Sequence, residues 1–436
     1  MRVLTVVSDL GPGGTQRAAQ NFTLGYRMHG HEAAVLAVRA GGPRADPLMD
    51  QDVQVFLGGP TQSLIDAATR QAAGWRPDVI HVHRAGRPDP VTAAIIHGLA
   101  ASHAARPAVL ETNVFGKVDY SNGRRAITVH MPLTRWSLWK WRQWAAGMRP
   151  TPVGVVMPNL IETSAFTPVD DATRHHRRRT YGIPEDAFVF GRIGQPILAK
   201  WSPVIFDAFA SIARDWPEAY LLLVGLPSEL RNHVDALPGS LQRRIVEAPF
   251  MLEDEELRSC YGAMDVFLHA SAIGESFGFV LAEAMLCERP VITLSTPLRD
   301  NSQLEVVGHG RGGLVVNDVN GMIEGMRRLL NDDDLRERLG RDGRESIRQR
   351  YDLRPGMRRL IRIAECARQT SNSAELTSTL AAQPELTTFV ATAEISAMLE
   401  DSLGSVSQRD RYLMKVVHTG LLYRVYSRFV FLLGKT

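Results

Sequence analysis

Short apolar runs alternate with helical stretches along most of the chain, and this alternation constrains the fold more than any other feature. The runs fall in two series, 2–7, 32–38, 78–83, 107–112 and 153–160, then 188–194, 220–225, 244–250, 265–271 and 290–295. Strands that alternate with helices form βαβ units and parallel sheets. The sequence therefore predicts two doubly wound α/β halves that face a central cleft, where a ligand would bind.

The two series are separated by the polar segment 167–187, which contains two prolines and the run "RHHRRR" and is predicted to be a linker. The boundaries that follow are an N-terminal domain over 1–166, a second domain over 188–350 and a core helix over 351–369. Residues 370–436 would add a spacer and an amphipathic tail. "RHHRRR" itself is typical of a solvated helix, with phosphate binding as the alternative. A chain of 436 residues has room for two domains and an extension.

Composition excludes several classes of protein. The 50 Lys and Arg residues nearly balance the 47 Asp and Glu residues, which does not favour nucleic-acid binding. Three cysteines without metal-like spacing favour a reducing cytoplasm over a disulfide framework. No run of 18 residues lacks a charge, and the first residues read as a strand. Neither a membrane-spanning helix nor a signal peptide is therefore expected.

A glycine-rich turn follows the first predicted strand. Gly11, Gly13 and Gly14 stand before a helix, where bare backbone N–H groups favour an anion. A dinucleotide-binding fingerprint would need a third glycine where Gln16 stands, so a dehydrogenase is not indicated. Gly13 and Gly14 are candidates for a phosphate or acceptor loop, and a tight turn without a ligand explains them equally well.

Two cations follow the first strand of the second series, in "GRIGQPILAKW". Arg192 and Lys200 would lie near the carboxyl edge of that sheet, where α/β proteins bind ligands. Paired cations at such an edge suit a diphosphate, whose negative charge they would neutralise. Ordinary surface cations are the alternative.

Two glutamates stand eight residues apart in "GESFGFVLAEAM". On one continuous helix they would be roughly 12 Å apart, too far for a hydrolytic pair. We instead expect Glu275 in a loop and Glu283 in the following helix. The N–H groups of Ser276, Phe277 and Gly278 would then form an anion seat. Each carboxylate is a strong acceptor for sugar hydroxyls.

These stretches resemble a known family. "SAIGESFGFVLAEAM" is similar to the E-x7-E signature of the large retaining glycosyltransferase family four. "GGTQRAAQNFTLGYRMHGHEAAVL", "PDVIHVH", "MPNLIETSAFTP", "YGIPEDAFVFGRIG" and "LEVVGHGRGGLVV" also follow its order. The resemblance covers roughly residues 1–369. It implies the GT-B fold, with two Rossmann-like domains facing a cleft, followed here by a C-terminal helical extension.

The resemblance also implies roles for the site residues. Glu283 would hold the nucleotide ribose, and Glu275 would position hydroxyls of the donor sugar. Arg192 and Lys200 would stabilise the departing diphosphate in place of a metal ion, so no metal and no cofactor are expected. Base recognition would involve the backbone near Phe250 and Met251.

The acceptor side departs from the family pattern. Many relatives carry a histidine where this chain has Asn113, which forms hydrogen bonds but does not titrate. His83, at the end of the preceding strand, is a candidate to replace the histidine missing at 113. A structural role is the commoner explanation for a histidine at a strand end.

Two further stretches lie outside the common pattern. Segment 134–144 holds four tryptophans among cations, which suits an acceptor or membrane surface as well as a buried core. In the tail 411–433 and the residues after it, Arg424, Arg428 and Lys435 fall on one helical face. This tail would either contact an anionic membrane or pack on the protein.

The sequence thus predicts a cytoplasmic, metal-independent, retaining hexosyltransferase, at most peripheral at the inner face of the plasma membrane. It would use a nucleoside diphosphate sugar and a glycan or lipid-linked acceptor in surface polysaccharide or glycolipid assembly, without nucleic acid. A phosphorylase or epimerase is the rival within this fold. A non-catalytic nucleotide-sugar or glycan-binding module at a membrane is the rival from another class.

Overall fold

The computed structural model describes residues 1–101 and 106–432, although the side chains of 101 and 429–432 are outside that description. The chain divides into two compact units. Unit 1 comprises Met1–Ile161, Tyr351–Thr392 and Leu413–Thr436, and unit 2 comprises Glu162–Arg350 and Ala393–Tyr412.

Unit 1 contains a six-stranded parallel sheet. Its strands are β1 Arg2–Asp9, β2 Glu32–Ala40, β3 Gln54–Leu57, β4 Val79–Arg84, β5 Ala108–Asn113 and β6 Val129–Pro132, in the order β3-β2-β1-β4-β5-β6. Its first helices are α1 Gly14–Met28, α2 Ala45–Met49, α3 Gln62–Gly74, α4 Pro90–Ala101 and α5 Arg135–Ala145, with a 3-10 turn at Asn122–Ala126. Strands β4, β5 and β6 are buried throughout and β1 and β2 along their middle parts, as expected for a parallel sheet covered on both faces, whereas the edge strand β3 buries only Phe56.

Unit 2 repeats this architecture. Its strands are β7 Phe188–Ile193, β8 Ala219–Val224, β9 Ile245–Ala248, β10 Val266–His269, β11 Val291–Leu294 and β12 Gly313–Val316, in the order β12-β11-β10-β7-β8-β9. The helices are α6 Asp171–Thr180, α7 Val204–Asp215, α8 Arg231–Asp235, α9 Gly239–Gln242, α10 Asp254–Ala263, α11 Phe279–Leu286, α12 Gln303–Val307, α13 Val319–Asn331 and α14 Asp333–Tyr351. Two 3-10 turns lie at Leu198–Lys200 and Ser228–Leu230. In both sheets the strand order reverses beside the first strand, which creates a switch point for ligands at the carboxyl edge.

Five helices follow: α15 Leu353–Gln369, α16 Ser373–Ala381, α17 Thr392–Glu400, α18 Gln408–Val417 and α19 Gly420–Leu432. The stretch predicted to be a spacer therefore contains a helix, which buries Leu376 and Leu380. Residue 433 of the predicted tail and Lys435 lie outside the described residues. No helix within the described residues is long and apolar enough to cross a membrane.

The predicted parallel α/β architecture is confirmed, with differences in detail. The strand predicted over 153–160 is wrong, since this segment forms only one isolated bridge, from Gly154 to His130. Prolines at 152 and 158 remove N–H donors from it. The sequence analysis did not predict β3, β6 and β12, which have four residues each and lie at sheet edges, whereas β9, of the same length and also at an edge, was predicted within 244–250.

The segment predicted to be a linker packs on unit 2. Helix α6 occupies most of its polar part, and Arg178 is buried there. Its guanidinium donates to the carbonyl oxygens of Ala263, Glu185 and Ala187, and forms an ion pair with Asp265 at 2.9 Å. The prediction of a solvated helix is therefore wrong at Arg178.

Candidate functional site

The loop that carries Glu275 is held rigidly at the carboxyl end of β10. Gly274 has a φ of +74°, and a Cβ there would lie 1.7 Å from the carbonyl oxygen of Asp300. The Glu275 N–H donates to Gln303 Oε1 at 3.3 Å, and the Glu275 carbonyl accepts from the Ser302 N–H at 3.0 Å. As the sequence predicts, Glu275 lies in a loop and Glu283 in the following helix, α11.

A cluster of charged and titratable groups surrounds the Glu275 carboxylate. Lys200 Nζ lies 3.3 Å from Glu275 Oε1, and His269 Nε2 lies 3.6 Å from the same oxygen. Burial raises the pKa of Glu275, but Lys200, His269 and Arg192 outweigh this effect and lower the pKa to about 2. Glu275 is therefore an anion at neutral pH, beside Lys200, whose side chain is 31% exposed.

Arg192 lies behind this pair on β7, and its side chain is buried. The guanidinium donates to the carbonyl oxygens of Ile193 at 2.9 Å and Lys200 at 3.0 Å. It also lies 5.2 Å from the centre of the Trp201 ring. Burial lowers its pKa to about 10, against the opposing effect of Glu275, so Arg192 stays charged at neutral pH. Its direct bonds hold the loop that presents Lys200.

Glu283 is buried in α11 and contacts a different group. Its Oε2 accepts a hydrogen bond of 2.8 Å from the hydroxyl of Tyr261, which lies on α10. The structure thus brings Glu275, Lys200 and Arg192 together and shows Glu283 bonded to Tyr261. The ribose role of Glu283 stays a prediction.

The turn between the two glutamates ends at the first residue of α11. Gly278 precedes the helix with a φ of +83°, a conformation that favours glycine. Phe277 is buried, and its ring lies 5.5 Å from that of Phe279. Ser276 is half-buried. The N–H groups of this turn stand at a helix N-terminus, as predicted, whereas their role as an anion seat is untested.

His269 is a site residue that sequence reasoning missed. It ends β10, its Nδ1 lies 3.0 Å from Thr293 Oγ1, and its ring is fully buried. Burial, and then Arg192, lower its pKa to about 4, so the ring is neutral near pH 7. Its place at the carboxyl end of a strand was the available signal.

The residues predicted near the base lie at the same edge of the sheet of unit 2. A Cβ on Gly225, whose φ is +77°, would lie 3.3 Å from Phe250 and 2.2 Å from the carbonyl oxygen of Gly194. Phe250 therefore stands beside the ends of β7 and β8. Met251 Sδ lies 3.6 Å from Cys260 Sγ. Both Phe250 and Met251 are half-buried.

The glycine turn of unit 1 is closed by a carboxylate. Asp9 Oδ1 accepts from the Gly11 N–H and from Gln16 Nε2, each at 2.9 Å. Gly13 precedes α1 and Gly14 begins it, and a Cβ on Gly13 would lie 2.3 Å from Gln16 Oε1. That oxygen is the end of a flexible side chain, and the φ of −70° at Gly13 is open to any residue, so the turn itself does not require glycine at 13.

His83 and Asn113 lie at the carboxyl ends of neighbouring strands, β4 and β5. His83 borders a cavity of about 230 Å³ together with Ser8, Gln16 and Phe115. Its buried ring nitrogens have no hydrogen-bond partner among the described residues. Burial and His81 hold the pKa of His83 well below its usual value.

Asn113 holds a turn. Its Nδ2 donates to the Lys117 carbonyl oxygen at 2.8 Å, and its Oδ1 accepts from the Lys117 N–H at 3.2 Å. Both ends of the amide are thus used within unit 1. Within 1–101 and 106–432, no group of three or more His, Cys, Asp or Glu residues is arranged to hold a metal ion.

Comparison with known proteins agrees with this geometry. Residues 185–332 match the family described as glycosyl transferases group 1. The chain is 26% identical over 393 residues to a phosphatidyl-myo-inositol mannosyltransferase of Mycobacterium tuberculosis, covering 81% of this chain and 93% of the relative. It is 27% identical over 168 residues to a capsular polysaccharide biosynthesis glycosyltransferase of Staphylococcus aureus, covering 38% and 43%.

Solved structures share the fold. A glycosyltransferase from Rickettsia africae superimposes with a TM-score of 0.69 at 15% identity, covering 85% of this chain and 99% of that one. The Anabaena protein HepE, solved with UDP and glucose, superimposes with a TM-score of 0.66 at 18% identity, covering 84% and 99%.

Two parallel sheets with these structural matches define the GT-B fold. The chain is a glycosyltransferase, and residues 185–332 of its second unit are similar to the group 1 glycosyl transferases. The fold and the family type predicted from the sequence are confirmed, while the roles of individual residues remain predictions.

Proposed function

We propose that this glycosyltransferase moves a hexosyl group from a nucleoside diphosphate sugar to an acceptor hydroxyl, with retention and without a metal ion. The observation that carries the proposal is the Lys200–Glu275 pair, with Arg192 buried behind it. When the bond from the anomeric carbon to the diphosphate breaks, negative charge grows on the departing oxygen. A fixed ammonium group beside it stabilises that charge.

Each remaining donor contact has a proposed partner in unit 2. Glu275 accepts hydrogen bonds from hydroxyls of the sugar, and the turn 276–278 offers N–H groups to the diphosphate. Glu283 holds the ribose, which requires its carboxylate to exchange or share the bond from Tyr261. Phe250 and Met251 line the place for the base. The acceptor oxygen then bonds to the anomeric carbon on the face the diphosphate leaves, and its proton passes to the departing phosphate.

Unit 1 is proposed to bind the acceptor, by way of His83 and the turn at Gly13 and Gly14. A neutral, unpartnered imidazole at a cavity wall is suited to hydrogen-bonding a sugar hydroxyl. Relatives named for phosphatidyl-myo-inositol and for capsular polysaccharide support a glycolipid or surface polysaccharide as the product.

We also propose a cytoplasmic location, peripheral to the inner face of the plasma membrane. The three cysteines are buried and unpaired, which suits a reducing compartment. Nucleoside diphosphate sugars as donors are consistent with this location.

The experiment that tests the function is thermal unfolding with UDP, GDP, ADP and CMP and their sugar conjugates, each with and without EDTA. A ligand that binds the native state raises the unfolding temperature. We expect the nucleotides of one base to raise the unfolding temperature, by the same amount with and without EDTA. The stabilising conjugate is then incubated with glycolipid acceptors, and the anomeric configuration of the product is read by NMR. Inversion, or dependence on a metal ion, would contradict the mechanism; binding without transfer would favour a non-catalytic binding module.

A further inference from the structure

Helix α19 has two chemically different sides. Its inner side is tied to unit 1 by Tyr423, whose ring stacks on Trp144 with centroids 3.9 Å apart and whose oxygen accepts from the Val118 N–H at 3.3 Å. Arg424 donates to the Ala146 carbonyl oxygen and lies over the Tyr120 ring. The helix is therefore fixed in orientation.

The Trp-rich helix α5 is the surface on which this segment rests. Trp136, Trp139 and Trp144 surround His418, with ring centroids 6.0, 5.2 and 5.7 Å from it. Trp144 Nε1 also donates to the Val417 carbonyl oxygen at 3.3 Å. The four tryptophans are buried, so segment 134–144 is not itself a membrane or acceptor surface.

The opposite side of α19 is apolar and uncovered. We call it the outer face, formed by Leu421, Leu422, Val425 and Tyr426, which are 75%, 47%, 61% and 63% exposed. At about 100° per residue these four positions form one stripe, with Arg428 at its border. Large side chains grouped in this way mark an interaction surface, whereas single exposed ones do not.

The positive charge around α19 indicates what kind of surface would bind its outer face. Residues 411–436 contain five Lys and Arg and no Asp or Glu. Lys415 and Arg428 are exposed and have no ion-pair partner among the described residues. A second copy of the chain seated on the same face by two-fold symmetry would bring a second Arg428 to this face, and residues 411–436 supply no acid to compensate it. An anionic lipid surface offers both an apolar interior and negative headgroups.

We propose that the outer face of α19 docks unit 1 on an anionic membrane surface, with the helix lying in the plane of the interface. Thirteen residues at about 1.5 Å rise are too short to span a bilayer. The four apolar side chains would enter the acyl boundary, and Lys415 and Arg428 would contact headgroup phosphates. This inference rests on the peripheral location proposed above and names the surface that would provide it, whereas the transfer reaction does not depend on it and is tested separately.

The test is co-sedimentation of the full-length protein with vesicles of phosphatidylcholine alone and mixed with phosphatidylglycerol, at low and high salt. We expect binding to the mixed vesicles, weakened by salt. Leu421→Asp with Val425→Asp should reduce it about tenfold or more. The matched control is Phe389→Asp, which alters another side chain of unit 1, one that is 85% exposed, and should leave binding unchanged. Unfolding temperatures of all variants exclude misfolding.

Any of four results would overturn the proposal. The first two are that the wild-type protein fails to bind the mixed vesicles, or that it binds neutral vesicles equally well. The third is that Phe389→Asp lowers binding as much as the double substitution. The fourth is a dimer, seen by light scattering and dissociated by the double substitution, without vesicle binding, which would assign the face to a second copy. A variant with Lys415→Ser and Arg428→Ser should lose the preference for phosphatidylglycerol, and an unchanged preference would count against the charge argument.

Discussion

Among single residues, the two cations of the donor site differ in what they are able to touch. Lys200 is partly exposed and paired with Glu275, whereas Arg192 is 1% exposed and bonded to the Lys200 carbonyl oxygen. In the proposed mechanism Lys200 would therefore contact the phosphate directly, whereas Arg192 would act by fixing the loop that carries Lys200. The resemblance implies a phosphate role for both residues, and the difference in their burial predicts that these roles differ.

Lys200→Ala should lower kcat by roughly a hundredfold or more, because the charge that develops on the leaving phosphate loses its fixed partner. Affinity for the nucleoside diphosphate should fall much less. Steady-state kinetics and calorimetric titration measure the two effects. The matched control is Arg327→Ala, which removes a surface cation of unit 2 paired with Glu324. Equal losses in kcat and affinity would show that Lys200 only binds the nucleotide and does not stabilise the leaving phosphate in the transition state.

Glu283→Ala should weaken nucleotide binding by about 1.5–3 kcal/mol, the worth of a hydrogen bond to a charged group. Tyr261→Phe removes the same internal bond but keeps the carboxylate, so it should leave affinity nearly unchanged. Isothermal titration and unfolding temperatures are measured for both variants. If both lose stability and affinity to the same extent, Glu283 is a structural residue of the α10–α11 contact.

Among elements, the edge strand β12 is covered by a segment from far along the chain. Leu403 N–H donates to the Val315 carbonyl oxygen at 2.6 Å, and Leu403 bridges Val316 in parallel. Asn317 Nδ2 donates to Ser402 Oγ at 2.8 Å. An uncovered edge strand is a site for unwanted pairing, and this contact blocks it.

Leu403→Pro should destabilise unit 2 by about 1–3 kcal/mol, because the Val315 carbonyl loses its donor. The change is measured by urea unfolding and by aggregation on mild heating. The control is Gln408→Pro, which places proline at the first position of α18, where a helix tolerates it. Equal stability of the two variants would show that the 403 contact does not secure the edge.

For the whole molecule, buried neutral histidines should make the folded state less stable at acidic pH. Burial lowers the pKa of His269 in unit 2 to about 4 and that of His81 in unit 1 to about 3. The unfolded chain binds a proton on each histidine near the ordinary pKa of 6.5, whereas the folded chain binds it only at lower pH. The contribution of each histidine to the free energy of unfolding is therefore fully present above pH 6.5 and is lost as the pH falls toward the folded pKa. Both units should therefore lose stability between neutral pH and about pH 4.

His269→Gln should reduce this acid sensitivity, since glutamine keeps a donor near Thr293 and does not titrate. The difference in unfolding free energy between neutral pH and about pH 5 should shrink by up to about 2 kcal/mol, at about 1.4 kcal/mol per pKa unit. Urea unfolding at both pH values measures it. His97→Gln, at an exposed position of α4, should change nothing. An unaltered pH dependence in the His269 variant would show that His269 is not a source of the acid sensitivity.

The sequence by itself determined the class of fold and the order of the site motifs. Continuous apolar runs of four to eight residues between helical stretches leave few alternatives to parallel sheets. Gly274 and Gly278 bracket a turn before α11, so the separation of Glu275 from Glu283 followed from local conformation. Three of the four edge strands, each of four residues, were not predicted, because so short a run has little periodicity to detect.

Tertiary structure alone decided which side chains meet. Arg84 reaches Glu111 at 2.5 Å because the neighbouring strands β4 and β5 align positions that are 27 residues apart. His269 lies 3.6 Å from Glu275 because the loop that follows β10 folds back over the end of its own strand. The tryptophans of α5 were equally compatible with a membrane surface or a core until α19 and His418 were placed on them. Burial depends on the packing of the whole chain, because an apolar side chain leaves water only where another element of the structure packs against it.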